Sequence, residues 1–529
     1  MRKLIRLLAA IVLCLSISCS SMLDVEPENS VTFTNFYKNE QDIAALTRGM
    51  HAILAWSFRT FNTLEYAGVK TDASPSGHFP SPDVFMRFHL WNSVGTSWKS
   101  FYDAIYQCNL LFDNVQQPVC AQDRMDFYYG QANFIKGVCY LQLARYWGDA
   151  VISGHTEDTQ ARPKKPMVEV LDTALACAER AFMLLKKHEE LVDYAGARIT
   201  SKQYGSKGSA ATLIAHIYAW KAAMGKGLSD EEVRACWEKV DTYASKVIDT
   251  DECGFYELEN SAELLVANTL NTRNGKESIF EIELNAQDKT LDGTVFTSAR
   301  WFVGFPVVPG ALPGDINSNQ WKLKIQTVLD MYPGADERKN AFFYKPELYS
   351  NDPDSARACG GYAFEYKYRK GLYSTSTTSE QTLEFVNFDV NRMVWRLADL
   401  ILLRAEARMH LGNTNGAVQD LWRVQRRSKA VEYADGDLQM AIFREREKEL
   451  IFEDHRYFDI MRNKGYYKTE LPKNKVFVPF PFPHEEEEEV YSLLTDQEVA
   501  DGALFLPIGD GAFFLNPMMI QNTYWFNRK

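Results

Sequence analysis

The 529-residue sequence predicts a mostly α fold, in which a scaffold of helical hairpins is interrupted by one large irregular, partly β insertion. Three observations carry that expectation. A helix–turn–helix pattern is clearest between Arg396 and Arg427, three other stretches repeat it at unlike spacing, and helical periodicity fades between about Cys253 and Asn391.

In RLADLILLRAEARMHLGNTNGAVQDLWRVQRR, Leu397, Leu400, Ile401, Leu403 and Ala407 keep the spacing of an amphipathic helix. Leu411-Gly412-Asn413 stops it, because Gly and Asn accept the left-handed backbone of a C-terminal cap. A second helix restarts at once, with Ala417, Leu421, Val424 and, less strictly, Trp422 on its apolar side. Ala405, Ala407 and Ala417 are small enough to let the two helices approach closely. Helix, LG turn, Ala, helix is the order of a tetratricopeptide-like hairpin. One such hairpin cannot bury its own apolar face, so relatives of it are expected elsewhere in the chain. Gly130 to Asp149 with Met167 to Lys187, Ser209 to Gly225 with Glu231 to Ile248, and a weaker Gln41 to Phe58 with Trp98 to Val115 make four hairpins. From spacing alone, a generic helical bundle is the alternative.

The chain begins with a secretory leader, Met1 to Ser18. Arg2, Lys3 and Arg6 precede an apolar core, Leu7 to Ile17, that is too short to span a bilayer. Cys19 follows a small residue and reads as a lipoprotein cleavage and lipidation site, although Ser16 stands where such sites usually carry Leu or Val. Cys14, behind bulky Leu13, is the poorer candidate, and an ordinary cleaved signal is the alternative. The formal charge of −12 becomes more negative once the leader is removed, and no basic stripe offers phosphate neutralisation, which argues against nucleic acid. Beyond Cys14 and Cys19 the cysteines are odd in number and scattered, without CxxC or Cys/His metal spacing. Cys108, Cys139, Cys177 and Cys236 lie within helical patterns and read as small core residues.

The insertion holds β-like runs at Ser278 to Glu283 and Tyr362 to Tyr368, with Gly304-Phe305-Pro306, Pro309-Gly310 and Pro313-Gly314 as turns. Irregular segments on rigid scaffolds commonly carry function. Enzyme, cofactor and metal motifs are absent: there is no HExxH, GxSxG or P-loop. His484 followed by Glu485 to Glu489 reads as a solvated acidic loop, because consecutive like charges repel rather than converge on one ion. In Arg444 to Arg462, Glu445, Glu449 and Asp459 could be read as catalytic acids. The structural reading is stronger: Ile442, Leu450, Phe452, Phe458 and Met461 build an apolar side, while arginines and carboxylates pair across neighbouring turns and helices.

Aromatics make up 13% of the chain, and many fall in two irregular regions, which makes those regions candidate ligand faces. Phe79, Phe85, Phe88 and Trp91 lie after the first helix; Trp301, Phe302, Trp321, Tyr362 and Tyr366 lie in the insertion. Rings stack on the C–H faces of sugars, with nearby Asp72 and Asn92 able to orient hydroxyls. At ~0.5–1.5 kcal/mol per stack and about 1 kcal/mol per hydrogen bond, such a face binds in the micromolar-to-millimolar range. For any single aromatic, core packing is the competing role. The candidate ligand residues are Asp72, Phe79, Trp91, Asn92, Trp301, Trp321, Tyr362 and Tyr366.

The ordered segments resemble the SusD/RagB family of Bacteroidota outer-membrane lipoproteins over nearly the whole chain. Cys19 with Met22-Leu23-Asp24-Val25-Glu26-Pro27 matches its "LD..P" start, and Trp98 to Ile105 with Asn109 its "W..YY..I...N" helix. Gly130 to Asp149 matches "GEA.FLRA..Y..L...YGD", and Arg396 to Ala407 matches "R.AD..L..AEA". Glu445, Arg446, Glu449, Leu450, Arg456, Asp459 and Arg462 match "ER..EL..E..R..D..R". Leu506-Pro507-Ile508, Asn516-Pro517 and Gln521-Asn522 match "LPIP...N..L.QN". Gln131 replaces the usual glutamate and Gly509 the usual proline.

The resemblance implies a SusD-like fold and a function without catalysis. The protein would be anchored in the outer membrane through lipid on Cys19 and face the cell exterior. There it would capture a glycan, or in the RagB branch a peptide, for a SusC-like TonB-dependent transporter. The helices would be the transporter side and the irregular regions the ligand side. The implied organisation is a leader at 1–18 and a single SusD-like domain at 19–529. That domain comprises hairpins at about 41–250 and 391–462, a ligand-side insertion at about 253–390 and a C-terminal segment at 463–529. The matched motifs are scaffold positions, so no ligand residue carries over by motif. A surface glycoside hydrolase with paired carboxylates needs no short motif and stands as the alternative.

Overall fold

Four pairs of helices pack in the order in which the sequence spaces them. They are α1 (Glu40–Thr60) with α2 (Lys99–Asn114), α3 (Gln122–Trp147) with α4 (Met167–Leu184), α5 (Lys207–Met224) with α6 (Asp230–Ile248), and α7 (Leu397–His410) with α8 (Thr414–Arg427). Successive pairs also touch, α2 on α3, α4 on α5 and α6 on α7, so the apolar stripe that one pair leaves open is covered by the next. This computed structural model describes residues 37–60, 64, 68–72, 97–115, 117–157, 160–284, 297–313, 321–351, 359–375, 383–471 and 494–526. The leader at 1–18, Cys19 and the acidic run after His484 lie outside them. Among the described residues, no helix is long and apolar enough to cross a membrane.

Local chemistry sets the helix ends. Ser206 and Ser229 form capping boxes at the starts of α5 and α6, satisfying backbone N–H groups that have no partner within the helix. Between α7 and α8, Gly412 takes φ +78° and the Asn413 side chain accepts the Gly416 N–H at 3.0 Å. The turn is where the sequence places it, with Asn413 capping the second helix rather than ending the first. Ala405, Ala407 and Ala417 are fully buried there.

α3 starts two turns before Gly130, where the sequence pattern begins it, and buries Met125, Phe127 and Tyr128 in the added turns. Gly130 is a packing residue rather than a break, because a Cβ there would lie 2.6 Å from Leu185 Cδ2 of the chain just after α4. From Gly130 to Trp147, α3 is buried nearly all round, the mark of a central helix. Gln131 shows what its replacement of a glutamate does locally. Its amide donates to Gly205 O and accepts from Gly205 N, both at 2.7 Å, a two-sided contact an ionised carboxylate cannot make.

The insertion is closed at its base by a buried antiparallel ribbon. β1 (Ser278–Ile282), within the predicted β run, pairs with β6 (Arg392–Arg396), which leads directly into α7. Inside the insertion, β2 (Leu323–Lys324) pairs with β3 (Tyr362–Ala363), and β4 (Gly371–Thr375) with β5 (Leu383–Phe388). The predicted strand at Tyr362 to Tyr368 is shorter than expected: it pairs with β2 only at Tyr362–Ala363, and beyond that meets the chain at 342–344 through an isolated bridge, Phe343 with Glu365. Short helices at Ile325–Met331, Arg338–Phe342 and Pro346–Asn351 also occupy the insertion, each too short to leave a periodic signal.

Residues 494–526 clamp the C-terminus of α3. Leu506 N donates to Tyr146 O at 2.7 Å and Trp147 Nε1 to Pro507 O at 3.2 Å. The Gln521 amide holds both backbone groups of Ile508, and Asn522 Nδ2 donates to Trp147 O. Cys108, Cys139 and Cys236 are buried free thiols, as expected; Cys177 is only half-buried.

Candidate functional site

The charged residues between Arg444 and Arg462 admit a catalytic and a structural reading, and their geometry is that of a buried ionic lattice. α9 (Leu438–Glu449) and α10 (Arg456–Arg462) pack on the scaffold with Ile442, Leu450, Phe452, Phe458 and Met461 buried. Arg396 donates to Glu277 Oε1, Glu449 Oε1 and Glu453 Oε2, each at 2.7 Å. Arg338 bonds Glu445 at 2.6 Å and Asp336 at 2.8 Å, and Lys367 Nζ bonds Glu453 at 2.6 Å. A second group joins Arg446 to Asp399 at 2.7 Å, His216 to Asp399 at 3.0 Å, and Arg462 to Glu406 at 2.6 Å and Asp459 at 2.8 Å.

Burial alone would raise the Glu449 carboxyl, but the guanidiniums of Arg427, Arg396 and Arg338 hold it well below the usual carboxylate range. Asp399 is likewise depressed against its burial by His216 and Arg446. Glu445, Glu449 and Asp459, the possible catalytic acids, are thus buried carboxylates engaged by arginines. A pair of this kind contributes little net stability over an apolar packing, yet breaking it leaves an uncompensated charge. The lattice therefore specifies how α7, α9, α10 and the insertion fit together.

The candidate ligand residues are distributed differently. Phe79, Trp91 and Asn92 lie outside the described residues. Asp72 is exposed, but its carboxylate accepts the Lys324 N–H at 2.6 Å and its own N–H donates to Lys322 O at 2.8 Å, so it pins the edge of the β2–β3 ribbon. Trp321 is 2% exposed, stacked on Trp301 at 6.2 Å and edge-on to Phe302 at 5.9 Å. Its place is in the core behind Trp301, which is half-buried. Tyr362 and Tyr366 are half-buried. The Lys322 ammonium lies 5.3 Å from the Tyr362 ring centre, and the Arg369 guanidinium 4.0 Å from that of Tyr366.

Sequence reasoning missed the rings that cluster with Tyr366. Tyr344 N donates to Phe364 O at 3.0 Å and Tyr366 N to Phe342 O at 2.9 Å, which adds a third segment beside Tyr362–Tyr366. Tyr344 then meets Tyr366 at 5.2 Å and Phe305 at 5.5 Å, while Phe364 meets Phe305 at 5.4 Å and Tyr349 at 5.2 Å. All five rings are half-buried, and burial raises the Tyr349 hydroxyl. The signal was present in the clustering of Phe and Tyr at 342–349 and 362–368, but the pairing of two segments about twenty residues apart leaves no periodicity. Beneath this face, burial pushes the Glu365 carboxyl up to about 8.

Such a surface can stack flat C–H faces and offer a few polar groups at its margin. Among the described residues, no group of three or more His, Cys, Asp or Glu side chains could hold a metal ion. A cleft of about 480 Å³ opens elsewhere, between the end of α3 and residues 500–523. Its polar groups are engaged, Lys164 with Asn522 and Asp149 with the Met167 N–H.

Residues 272–525 match the sequence profile of the SusD family, and residues 22–218 match a second profile described as starch-binding associating with outer membrane. The chain is 23% identical over 509 residues to SusD-like protein P38 of Formosa agariphila, an alignment spanning 88% of this chain and 93% of that one. SusD-like protein P25 of the same organism is 22% identical over 506 residues, spanning 84% and 87%. In three dimensions the chain is similar to a SusD homolog of Bacteroides thetaiotaomicron (TM-score 0.69, 19% identity, 92% of this chain and 98% of that chain). It is also similar to NanU of B. fragilis (TM-score 0.65, 19% identity, 94% and 99%).

Proposed function

Because the chain belongs to the SusD/RagB family, we propose that it is a surface-exposed outer-membrane lipoprotein that binds oligosaccharide or polysaccharide and delivers it to a SusC-like TonB-dependent transporter for nutrient uptake. Lipid on Cys19 anchors it, and it catalyses no step itself. The observation that carries the reading is the half-buried aromatic face of Phe305, Tyr344, Tyr349, Phe364 and Tyr366, exposed enough to take a ligand and built on an insertion fixed to a helical scaffold. Asp72, Trp301 and Tyr362 are proposed as further contacts. Phe79, Trp91 and Asn92 are proposed contacts on sequence grounds. The second profile's description, starch-binding associating with outer membrane, supports the same role.

The test is retention of the body beginning after Cys19 on immobilised glycans, with released sugar measured in the same samples. Retention on one glycan class without product is expected, weakened in Trp301→Ala and Tyr366→Ala proteins that melt like wild type. Steady product release, abolished by one Asp or Glu change, would make the protein a surface hydrolase instead. Binding to peptides and to no glycan would place it with RagB-type peptide binders. Cys19→Ser is expected to remove the protein from the membrane fraction and abolish incorporation of labelled fatty acid.

A further inference from the structure

Cations border the aromatic face without carboxylates to meet them. Lys322 Nζ lies 5.3 Å from the centre of Tyr362, and Lys345 Nζ lies 5.1 Å from the centre of Tyr344. Exposed Lys324 stands opposite Tyr362 in the register of the β2–β3 ribbon. Among the described residues, none of these three lysines forms an ion pair. The acids nearby are engaged: Asp72 accepts the Lys324 backbone N–H, Glu263 holds Arg369 in a two-point bond at 2.6 and 2.9 Å, and Glu347 pairs with Lys339.

Two further observations separate this arrangement from ordinary surface lysines. Lys345 takes φ +45°, a backbone region that residues with side chains rarely adopt and that clusters at functional sites. Burial lowers the Lys322 ammonium from its ordinary range, so that cation has given up part of its hydration. The buried cations of the lattice, Arg338, Arg396 and Lys367, each meet a carboxylate within 2.8 Å. In a chain of formal charge −12, lysines without a carboxylate partner on two hydrogen-bonded segments, beside Tyr362 and beside Tyr344, are complementary to a negatively charged ligand.

We infer that the ligand of this face is an acidic glycan, whose carboxylate or sulfate-ester groups meet Lys322, with Lys324 and Lys345 beside it, while its sugar rings lie on Tyr362 and Tyr344. The inference rests on the glycan-capture reading and adds the charge of the substrate. Two pairs of probes separate the sources of charge: polygalacturonate against its methyl ester for carboxylate, and dextran sulfate against dextran for sulfate ester.

Wild-type protein is expected to be retained by at least one acidic probe and at least tenfold less by its neutral counterpart. The Lys322→Met/Lys345→Met protein, checked by its melting curve, is expected to lose at least fivefold in affinity for that probe. Raising salt from about 50 to about 500 mM should bring wild type down toward the variant, because the added ions screen partly exposed charges. Equal binding of acidic and neutral partners, or an unchanged double variant, overturns the acidic assignment. Retention only on neutral glycans in the wider screen also overturns it and leaves capture standing; binding to no glycan at all removes both.

Discussion

The buried cations Arg396, Arg338 and Lys367 meet carboxylates, whereas Lys322 and Lys345 lie over the rings of Tyr362 and Tyr344. Both regions lie within the insertion or against it, and they use charge for different ends. In the lattice, charges are taken out of water and offset by opposite charges at 2.6–2.8 Å, which fixes relative position but leaves nothing for a ligand. At the aromatic face the rings are only half covered, and Lys322, Lys324 and Lys345 carry no carboxylate partner among the described residues. The family motif residues from Arg396 to Ala407 and from Glu445 to Arg462 contribute to the first region, which explains why they identify the fold and are silent on the ligand.

The sharpest way to break this contrast is at Arg396. Arg396→Met takes one cation from each of Glu277, Glu449 and Glu453, leaving them only Arg427, Arg338 and Lys367, and the cost is expected to be ~3–5 kcal/mol, read as a large drop in thermal midpoint or as insoluble protein. A midpoint within a degree or two of wild type would mean that the lattice does not position the insertion. Trp321→Ala tests where core ends and face begins: a residue 2% exposed should lose ~3–5 kcal/mol of stability on truncation, with reduced glycan retention only as a consequence.

Glu365 lies under the face, and its effect depends on pH. Its carboxyl titrates near 4.5 when unfolded and at about 8 when folded, so across that window the native state alone keeps the proton. Wild-type stability should therefore fall as pH rises between those values, by about 1.4 kcal/mol for each pH unit. Glu365→Gln cannot ionise and should gain on wild type through the same window; parallel midpoints at all pH values would contradict the assignment. The smallest effect is expected at the face itself. Tyr366→Ala should lower glycan retention about two- to tenfold, from ~0.5–1.5 kcal/mol of stacking, with melting unchanged.

The sequence made the scaffold legible because its signals are local. Gly412-Asn413 fixes a turn whatever surrounds it, and the 3.6-residue spacing around Leu400 and Leu421 depends on one buried side per helix. The start of α3 lies before the predicted Gly130, and that glycine's role as a close contact depends on Leu185, a residue more than fifty positions away. The site was legible in outline, since aromatic density pointed to the insertion. Its assembly was not: Tyr344 reaches Tyr366, and Phe305 reaches Phe364, through pairings that no short pattern encodes. Composition likewise cannot separate Trp321, which supports, from Trp301, which is half open. Lys322 resembles any other lysine until Tyr362 is seen beneath it.

The ribbon of β1 and β6 brings residues 278–282 beside residues 392–396. Everything between enters and leaves the scaffold through two adjacent strands, and the loss of entropy on closing so long a loop grows only logarithmically with its length. Exchange of the outer part of that segment for one of another length and sequence is cheap in closure entropy, provided Arg338 and Lys367 keep their places against Glu445 and Glu453. The same geometry joins parts of the chain made far apart in time: β1 is synthesised more than a hundred residues before β6, and α7, which follows β6 directly, is tied back beside β1, where Leu397 N donates to Glu277 O.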